Sequence, residues 1–473
     1  MTSAQQIFLQ CVYSIVLINV VGTIYDVYTG ESPDKNKLIA AFSIPANWRR
    51  LTVIHESGDP RIQALTPLNG PRVITMLMTT YAHANVFHYA FHILNPEELE
   101  AQTQRTDGIF LSNGTAVIQG LAMLSCFLTC YNLLLFSKKQ ALNIAMLPLC
   151  VIKRLIRISP VNFLVIGFAA TWWMNTRDGP LVPATIGQEA MACQNKFWSQ
   201  IFYTNNMVEP ADFCVLPTWF LAVDMHLYII ACLLTLIMWR RRTIALKLYS
   251  FLFVLSCAVI ALVVYINKYK AMIYLATPEQ IRRTFRDSES FTSYYISSWG
   301  SIPSCFLGLI LAHIQYEIDE KRIKLSEHKW FVYLYYLNLV SIFMWPFTGK
   351  FVREYSKTHD NPIFSAAYTA LDRPIFCIFL GVSLLGIVNV DGALRRFFSW
   401  NKWIPLARLS LTMMLLHWCV NLSIGTRPVA YGTSILDMVV DWIATNVITY
   451  ALAVPITVML EIPMQKFLGL LLF

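Results

Sequence analysis

Long apolar stretches separated by short polar connections run the whole length of the chain. A helix that crosses the hydrocarbon core of a bilayer needs about 20 mostly apolar residues, and about eleven stretches come close to that length. Each is expected to be a helix, because an open sheet would leave unpaired backbone groups in lipid. The pattern therefore predicts an all-α, polytopic transmembrane helix bundle of about eleven spans. The spans lie near residues 7–27, 72–93, 112–136, 158–176, 216–238, 245–266, 297–315, 330–348, 364–388, 403–424 and 436–463.

Composition agrees with an integral membrane protein. Of the 473 residues, 56% are hydrophobic and 14% are charged, whereas a soluble domain carries about 25% charged residues. The net charge of +9 does not indicate a nucleic-acid partner, because the basic residues cluster at the ends of spans, where they set orientation. We expect a multi-pass protein of the endoplasmic reticulum or the plasma membrane, in contact with membrane lipids.

Lysine and arginine also predict the topology. Alternate connections, beginning with residues 29–72, carry 23 of these residues against 12 on the opposite side, so the first set is expected to be cytoplasmic. The connection 267–296 is an exception, with five basic residues on the outer side. No clear cleavage motif follows the first span, which favours a transmembrane helix over a removed signal peptide. Residues 1–71 are therefore predicted to form this helix and a cytoplasmic connection, and residues 72–473 the main transmembrane domain.

The second span carries a histidine deep inside its apolar sequence. His83 follows Arg72 by about 16 Å along a helix, which places it near the middle of a bilayer about 30 Å thick. An ionisable side chain there is costly and marks a candidate functional site, and imidazole can accept and return a proton near neutral pH. A polar residue that only packs helices together explains the same position equally well.

Two arginines precede the predicted fourth span, in the sequence KRLIRISP. Arg154 and Arg157 are three residues apart and share a helical face, and Pro160 is expected to bend or restart the chain. Two guanidinium groups at the cytoplasmic surface suit a phosphate-rich ligand such as coenzyme A. An ordinary basic anchor at a span end is the alternative.

Three further polar residues lie within apolar spans: Asp224, His226 and His417. A carboxylate in lipid needs a partner, so Asp224 either orients a catalytic group or joins two helices. His417 fits a functional role and a satisfied core histidine equally well. We treat the three as supporting polar residues of a site.

Most of the eleven cysteines lie in apolar sequence and are expected to be small buried hydrophobes. Cys193 and Cys214 lie in a long polar segment on the predicted outer side, which makes them a candidate disulfide. His88 and His92 are four residues apart, but two ligands without a carboxylate or cysteine give little support for metal binding. No metal site is expected.

Eight short motifs follow one another along nearly the whole chain. They are FSIPANWRRL (42–51), LNGPRVITMLMTTYAH (68–83), LSCFLTCY (124–131), RLIRISP (154–160), CQNKFWSQIFYTNN (193–206), CVLPTWFLAVDMHLY (214–228), IPLARLSLTMMLLH (404–417) and EIPMQK (461–466). Each motif is weak alone, but their order and spacing are specific. Together they resemble the nose-resistant-to-fluoxetine branch of the membrane acyltransferase-3 family.

This resemblance implies an acyl transfer across the bilayer. Cytoplasmic acyl-CoA would donate an acyl group to a hydroxyl on a lipid, sterol, glycan or other small acceptor on the far side. His83 would be the general base or acyl relay, Arg72 the arginine of the same helix, and Arg154 and Arg157 the residues that contact acyl-CoA.

Several positions depart from the family pattern, mostly where charged groups would tune catalysis. A catalytically inactive relative that binds or moves lipids is therefore the second hypothesis. A transporter or channel is the third, and it is disfavoured because no inverted hydropathy repeat is evident. The departures are Asn69, Pro71, Gln119, Cys126, His226 and Gly300 or Ser301.

Overall fold

The computed structural model describes residues 1–32, 34–54, 59–91, 93–105, 116–271, 280, 283–426 and 432–472. Within these ranges the chain forms helices and no β-strand. His92 lies outside the described residues. The all-α prediction is confirmed for the part of the chain that is described.

Sixteen helices of nine residues or more are found in those ranges. They are α1 (Ser3–Thr29), α2 (Ile44–Thr52), α3 (Asn69–Ala90), α4 (Pro96–Gln104), α5 (Val117–Phe136), α6 (Leu147–Thr171), α7 (Ile186–Asn195), α8 (Thr218–Met238), α9 (Arg242–Ile266), α10 (Ile302–Lys321), α11 (Lys329–Met344), α12 (Thr348–Thr358), α13 (Pro362–Asn389), α14 (Ser410–Gly425), α15 (Ile435–Ile456) and α16 (Ile462–Leu472). Shorter α-helical pieces are Lys37–Ala40, Pro60–Gln63, Phe197–Ile201, Ala393–Phe398 and Trp403–Arg408. Short 3₁₀ turns are Thr66–Leu68, Ile144–Met146, Trp173–Thr176, Trp299–Ser301, Leu325–Glu327 and Trp345–Phe347, and π-helical turns are Ser290–Tyr295 and Thr457–Glu461.

Seven helical segments among the described residues are long and apolar enough to cross a membrane. The structure therefore supports a multi-pass helical bundle but not the predicted count of about eleven spans. Helices do form at the other four predicted positions, α3, α6, α10 and α14. The first three carry polar or charged side chains that lower their hydropathy, and α14 is shorter, with 16 residues. The seven segments are Ser3–Thr29, Val117–Phe136, Thr218–Met238, Arg242–Ile266, Lys329–Thr358, Pro362–Asn389 and Ile435–Leu472.

The helices pack into two neighbouring groups. Helix α10 lies against α5, α9 and α13, whereas α3 lies against α14 and α15. The contact between α10 and α5 is close, because a Cβ at Gly308 would lie 2.5 Å from the Met123 carbonyl oxygen. Small residues at such contacts allow helix backbones to approach each other in membranes. Helix α8 packs against α5 and α10 and so belongs to the first group. Helix α6 contacts both α8 and α14, so it connects the two groups.

Three of the sequence motifs meet at the cytoplasmic side predicted above. Helix α2 ends without internal partners for its last carbonyl groups, and Arg408 Nη1 donates to three carbonyl oxygens there, those of Arg50, Leu51 and Val53, at 2.6–2.9 Å. The Thr412 hydroxyl donates to Glu461 Oε2 at 2.9 Å. The motifs 42–51, 404–417 and 461–466 thus form one contact region.

The segment between α7 and α8, predicted above to lie on the outer side, is held by two internal links. Cys193 and Cys214 form a disulfide with a Cα–Cα distance of 4.4 Å, which confirms the predicted pairing. Lys196 is buried, and its Nζ donates to the carbonyl oxygens of Asn205, Glu209 and Asp212 at 2.8–2.9 Å. Burial lowers the pKa of Lys196 to about 8. The disulfide and this lysine together fix the loop against the bundle.

Removing the disulfide is expected to loosen this segment. The double substitution Cys193→Ser with Cys214→Ser should lower the free energy of unfolding by about 3 kcal/mol, because a loop of about 20 residues regains chain entropy in the unfolded state. Denaturant unfolding of the purified protein measures the difference. Cys11→Ser, which changes an exposed free cysteine, should leave stability unchanged. Alkylatable thiols at both positions in the mature wild-type protein would contradict the disulfide.

Candidate functional site

The site begins with two histidines on neighbouring helices. His83 of α3 and His417 of α14 have nearly parallel rings, with their planes 7° apart, and His83 Nδ1 lies 2.8 Å from His417 Nε2. His417 Nδ1 in turn lies 3.0 Å from the Met413 carbonyl oxygen. The structure thus brings together two histidines that the sequence had indicated separately.

The Met413 carbonyl oxygen ends this series of hydrogen bonds, and it fixes the proton positions of both neutral imidazole rings. A carbonyl oxygen only accepts, so His417 Nδ1 must donate to Met413. His417 Nε2 is then an acceptor, and His83 Nδ1 must carry the proton that it receives. His83 Nε2 is left with its lone pair, which is the protonation state that a general base requires.

Exposure distinguishes the two rings. His417 is 0% exposed, whereas His83 is partly exposed and remains accessible to a reactant. Trp418 also packs against His83, with the two rings perpendicular and their centroids 5.2 Å apart. The Trp418 indole nitrogen donates to Glu189 Oε1 at 3.1 Å, and burial raises the pKa of Glu189 to about 7. Sequence reasoning missed Glu189, because it lies in a polar stretch between two apolar spans, where a carboxylate is not unusual.

The arginine motif lies inside α6 and not before it. The predicted span began at residue 158, but α6 begins at Leu147 and continues through Pro160, so the helix does not restart there. A proline inside a helix removes one backbone hydrogen bond, which neighbouring helices of a bundle can tolerate. Arg154 and Arg157 are therefore held by a regular helix within the bundle.

Arg154 has a carboxylate partner. It forms an ion pair with Asp224 of α8, donates to Ser125 Oγ at 3.1 Å, and stacks over the Tyr228 ring at 5.0 Å. The side chains of Arg154 and Asp224 are 17% and 8% exposed. The sequence identified both members of this pair but could not show that they meet.

Arg157 and Arg72 add positive charge beside this pair. Arg157 is exposed to solvent, and its electrostatic neighbours are Arg154, Glu461 and Asp224. Arg72 interacts electrostatically with Arg157, Arg154 and Asp224. Neither Arg72 nor Arg157 forms a salt bridge within 4.0 Å to a described carboxylate. Three arginines facing two carboxylates leave a net positive charge, which fits an anionic ligand.

His226 belongs to a separate network. Its Nδ1 lies 2.7 Å from Ser298 Oγ, which also accepts from Asn206 Nδ2 at 3.0 Å. This network ties α8 to the outer segment that the disulfide closes. The structure therefore gives His226 a link to the outer loop, while Asp224, two residues earlier, contacts the arginines.

Two departures from the family pattern contact each other. Gln119 Nε2 donates to Ser301 Oγ at 3.0 Å, and the Ser304 hydroxyl donates to Gln119 Oε1 at 3.0 Å. The resemblance leads us to expect an acidic residue at position 119 and an arginine at 300 or 301. The structure has neutral, hydrogen-bonded groups at 119 and 301 instead.

His88 is buried, with 2% of its surface exposed. Its Nδ1 lies 2.8 Å from Thr433 Oγ1, and its Nε2 lies 3.3 Å from Asp441 Oδ2. Among the described residues, no group of three or more His, Cys, Asp or Glu side chains could hold a metal ion.

Comparison with known proteins gives one informative relative. The chain is 21% identical over 487 aligned residues to "Nose resistant to fluoxetine protein 6" of Caenorhabditis elegans, covering 95% of this chain and 58% of the relative. The chain thus spans less than two thirds of that protein's length. No family model matches the chain, and no solved structure matches it. The relative supports the nose-resistant-to-fluoxetine resemblance, whereas the acyltransferase-3 assignment stays a prediction.

Breaking the central ion pair on one side is expected to destabilise the protein. Asp224→Asn should cost about 3–5 kcal/mol of unfolding free energy, because it leaves the Arg154 charge buried without a counter-charge. The double substitution Asp224→Asn with Arg154→Met should recover much of that loss. Denaturant unfolding of the wild type, both single variants and the double variant forms the thermodynamic cycle. Additive effects would show that the pair is not coupled.

Proposed function

We propose that this protein is an integral-membrane O-acyltransferase that moves an acyl group from cytoplasmic acyl-CoA to a hydroxyl on a lipid, sterol, glycan or other small acceptor. One observation carries the proposal: the hydrogen-bond chain from His83 through His417 to the Met413 carbonyl leaves His83 Nε2 as an accessible acceptor. Acyl transfer to a hydroxyl needs such a base.

In the proposed reaction, His83 Nε2 takes the proton of the acceptor hydroxyl as its oxygen attacks the thioester carbonyl. The tetrahedral intermediate then collapses, the C–S bond breaks, and His83 returns the proton to the leaving coenzyme A thiolate. His417 stabilises the transient imidazolium of His83 by accepting a hydrogen bond from its Nδ1. In other acyl-transfer sites, a third group likewise orients the catalytic base and stabilises its protonated form.

The arginines are the proposed donor site. Arg157 is exposed and lacks a salt bridge to a described carboxylate, whereas Arg154 is engaged by Asp224. We therefore assign the main phosphate contact to Arg157, with Arg72 adding charge and Arg154 acting as an anchor for both helices. Guanidinium groups suit phosphate because they form charge-assisted, bidentate hydrogen bonds.

Membrane placement completes the proposal. We propose that α3, α6, α10 and α14 also lie within the bilayer, which gives about eleven spans and puts the histidine pair inside it. Within these helices, His83, His417 and Arg154 contact polar groups of neighbouring helices, as polar residues in membrane proteins do. The protein would reside in the endoplasmic reticulum or the plasma membrane and contact membrane lipids directly.

Lipid binding or lipid transport without turnover is the alternative function. The neutral contact of Gln119 with Ser301 favours it, because charged groups are expected at those positions in the family. Purified protein supplied with labelled acyl-CoA and candidate hydroxylated acceptors separates the two. Release of coenzyme A with labelled product supports transfer, and retention of intact label supports binding alone.

His83→Ala is expected to reduce acyl transfer by about 10²- to 10⁴-fold, the usual contribution of a general base, with normal abundance. His417→Ala should cause a smaller loss, because the His83 proton is then no longer positioned. The measurement is labelled product per mole of protein. His328→Ala, at an exposed position, is the matched control. Wild-type turnover in His83→Ala would exclude the base assignment.

Arg157→Gln is expected to weaken acyl-CoA binding about tenfold or more, because it removes charge-assisted hydrogen bonds worth roughly 1.5–3 kcal/mol each, with little effect on stability. Equilibrium binding of labelled acyl-CoA gives the affinity. Arg240→Gln, at an exposed arginine that stacks on Trp239, is the control. An unchanged affinity in Arg157→Gln would assign this arginine to membrane orientation instead.

A further inference from the structure

A second basic site lies inside the bundle, on α13. Arg373 is 4% exposed, and neither Nη1 nor Nη2 forms a hydrogen bond with a described residue. Instead, the guanidinium carbon lies 4.6 Å from the ring centroids of Tyr294 and Tyr295. Stacking occupies the faces of a guanidinium but leaves its in-plane N–H donors unused. Such donors are costly to bury unless something accepts from them.

A hydroxyl lies on the same face of the helix. Thr369 precedes Arg373 by one helical turn, so the two side chains are neighbours. Thr369 is 6% exposed, and its Oγ1 also lacks a hydrogen-bond partner among the described residues. Its backbone carbonyl accepts from the Tyr294 hydroxyl at 3.0 Å, which holds that ring against this face. Two guanidinium nitrogens and one hydroxyl therefore form a buried group of donors.

The nearest carboxylate does not neutralise this group directly. Asp372 is buried, and its Oδ1 accepts from the Trp345 indole nitrogen at 2.9 Å. It attracts Arg373 electrostatically, but no salt bridge within 4.0 Å joins the two side chains. Asp372 thus lowers the cost of burying the positive charge without occupying the donors of Arg373.

The segment that carries the tyrosines is shaped to cover Arg373. Ser290–Tyr295 is a π-helical turn, a geometry found frequently at functional sites. A Cβ at Gly300 would lie 2.6 Å from the Tyr294 carbonyl oxygen and 3.0 Å from its ring, so only glycine permits this packing. Tyr295 and Trp299 are partly exposed, so the segment that covers Arg373 reaches the surface of the bundle.

We propose that Arg373 and Thr369, covered by Tyr294 and Tyr295, bind the oxyanion of an amphiphile: one carboxylate or phosphate group that carries an alkyl chain. A planar guanidinium fork matches these groups bidentately, and the apolar surroundings strengthen the attraction. The tyrosine rings and the neighbouring apolar side chains suit the alkyl chain. The adjoining apolar cluster comprises Ile260, Val264, Ala366 and Ala370.

This site is separate from the proposed donor site and does not depend on acyl transfer. The arginines of α6 lie beside Asp224 of α8, whereas Arg373 packs against the 290–295 turn. If transfer occurs, an anionic lipid held here would be a candidate acceptor, and that extension alone rests on the proposed function.

Binding to the purified full-length protein in phosphatidylcholine nanodiscs tests the proposal. The probes are oleate, oleoyl lysophosphatidate, the neutral oleyl alcohol and inorganic phosphate. Wild-type protein should bind the two anionic lipids at least about tenfold more tightly than the alcohol, as charge-assisted hydrogen bonds predict. Binding of inorganic phosphate that depends on Arg373 would also support the site, and it would show that the oxyanion comes from a free anion and not from a lipid.

Substitutions then locate the binding. Arg373→Met should reduce oleate affinity about tenfold or more, and Arg373→Lys and Thr369→Val should each reduce it by less, since they remove part of the donor set. Arg395→Met, at an arginine paired with exposed Asp391, is the control.

Two results would overturn the proposal. One is equal binding of oleate and oleyl alcohol by the wild type. The other is unchanged oleate affinity in a folded Arg373 variant, which would mean that buried water and not a ligand accepts hydrogen bonds from Arg373. If Arg373→Met fails to fold, Arg373→Lys and Thr369→Val decide the question by the same measurement.

Discussion

The ion pair between Arg154 and Asp224 is the interaction that holds the charged part of the site together. Moving a charge into an apolar bundle costs several kcal/mol, and Arg72 and Arg154 are partly buried in one, with Arg157 exposed beside them. Asp224 pairs with Arg154 and lies within electrostatic range of the other two. The pair also joins α6 to α8, so the same contact that neutralises charge fixes the two helix groups together.

The histidine pair depends on a different constraint, the backbone carbonyl of Met413. Only an acceptor at that point makes the proton positions of His417 and His83 unambiguous. Helix α14 therefore contributes in two ways, through a ring that contacts His83 and through a backbone group that orients that ring. Near the start of α14, the Thr412 hydroxyl contacts Glu461, which is an electrostatic neighbour of Arg157. Helix α14 therefore links the histidine region to the arginine region.

Two arginine regions of the bundle differ in charge balance. Beside α6, arginines are partly compensated by Asp224 and Glu461, which suits a ligand with several negative charges. On α13, Arg373 contacts two tyrosine rings and has Asp372 as an electrostatic neighbour, which suits a ligand with one negative charge. Gln119, Ser301 and Ser304 form a neutral, hydrogen-bonded contact that joins α5 to the start of α10.

The sequence by itself determined that the chain is a helical membrane bundle, because long apolar stretches have few other stable structures in lipid. It also identified His83, His417, Arg154, Asp224 and the cysteine pair, since polar groups in apolar sequence and paired cysteines in a polar loop are conspicuous. Hydropathy did not place the start of α6, because the arginines that matter there lower it. Only the tertiary structure decided which groups meet: His83 and His417 are 334 residues apart in sequence, and Arg154 and Asp224 are 70. It also decided that Arg373 keeps its donors unused, because hydrogen bonding and stacking depend on distances that no local pattern records.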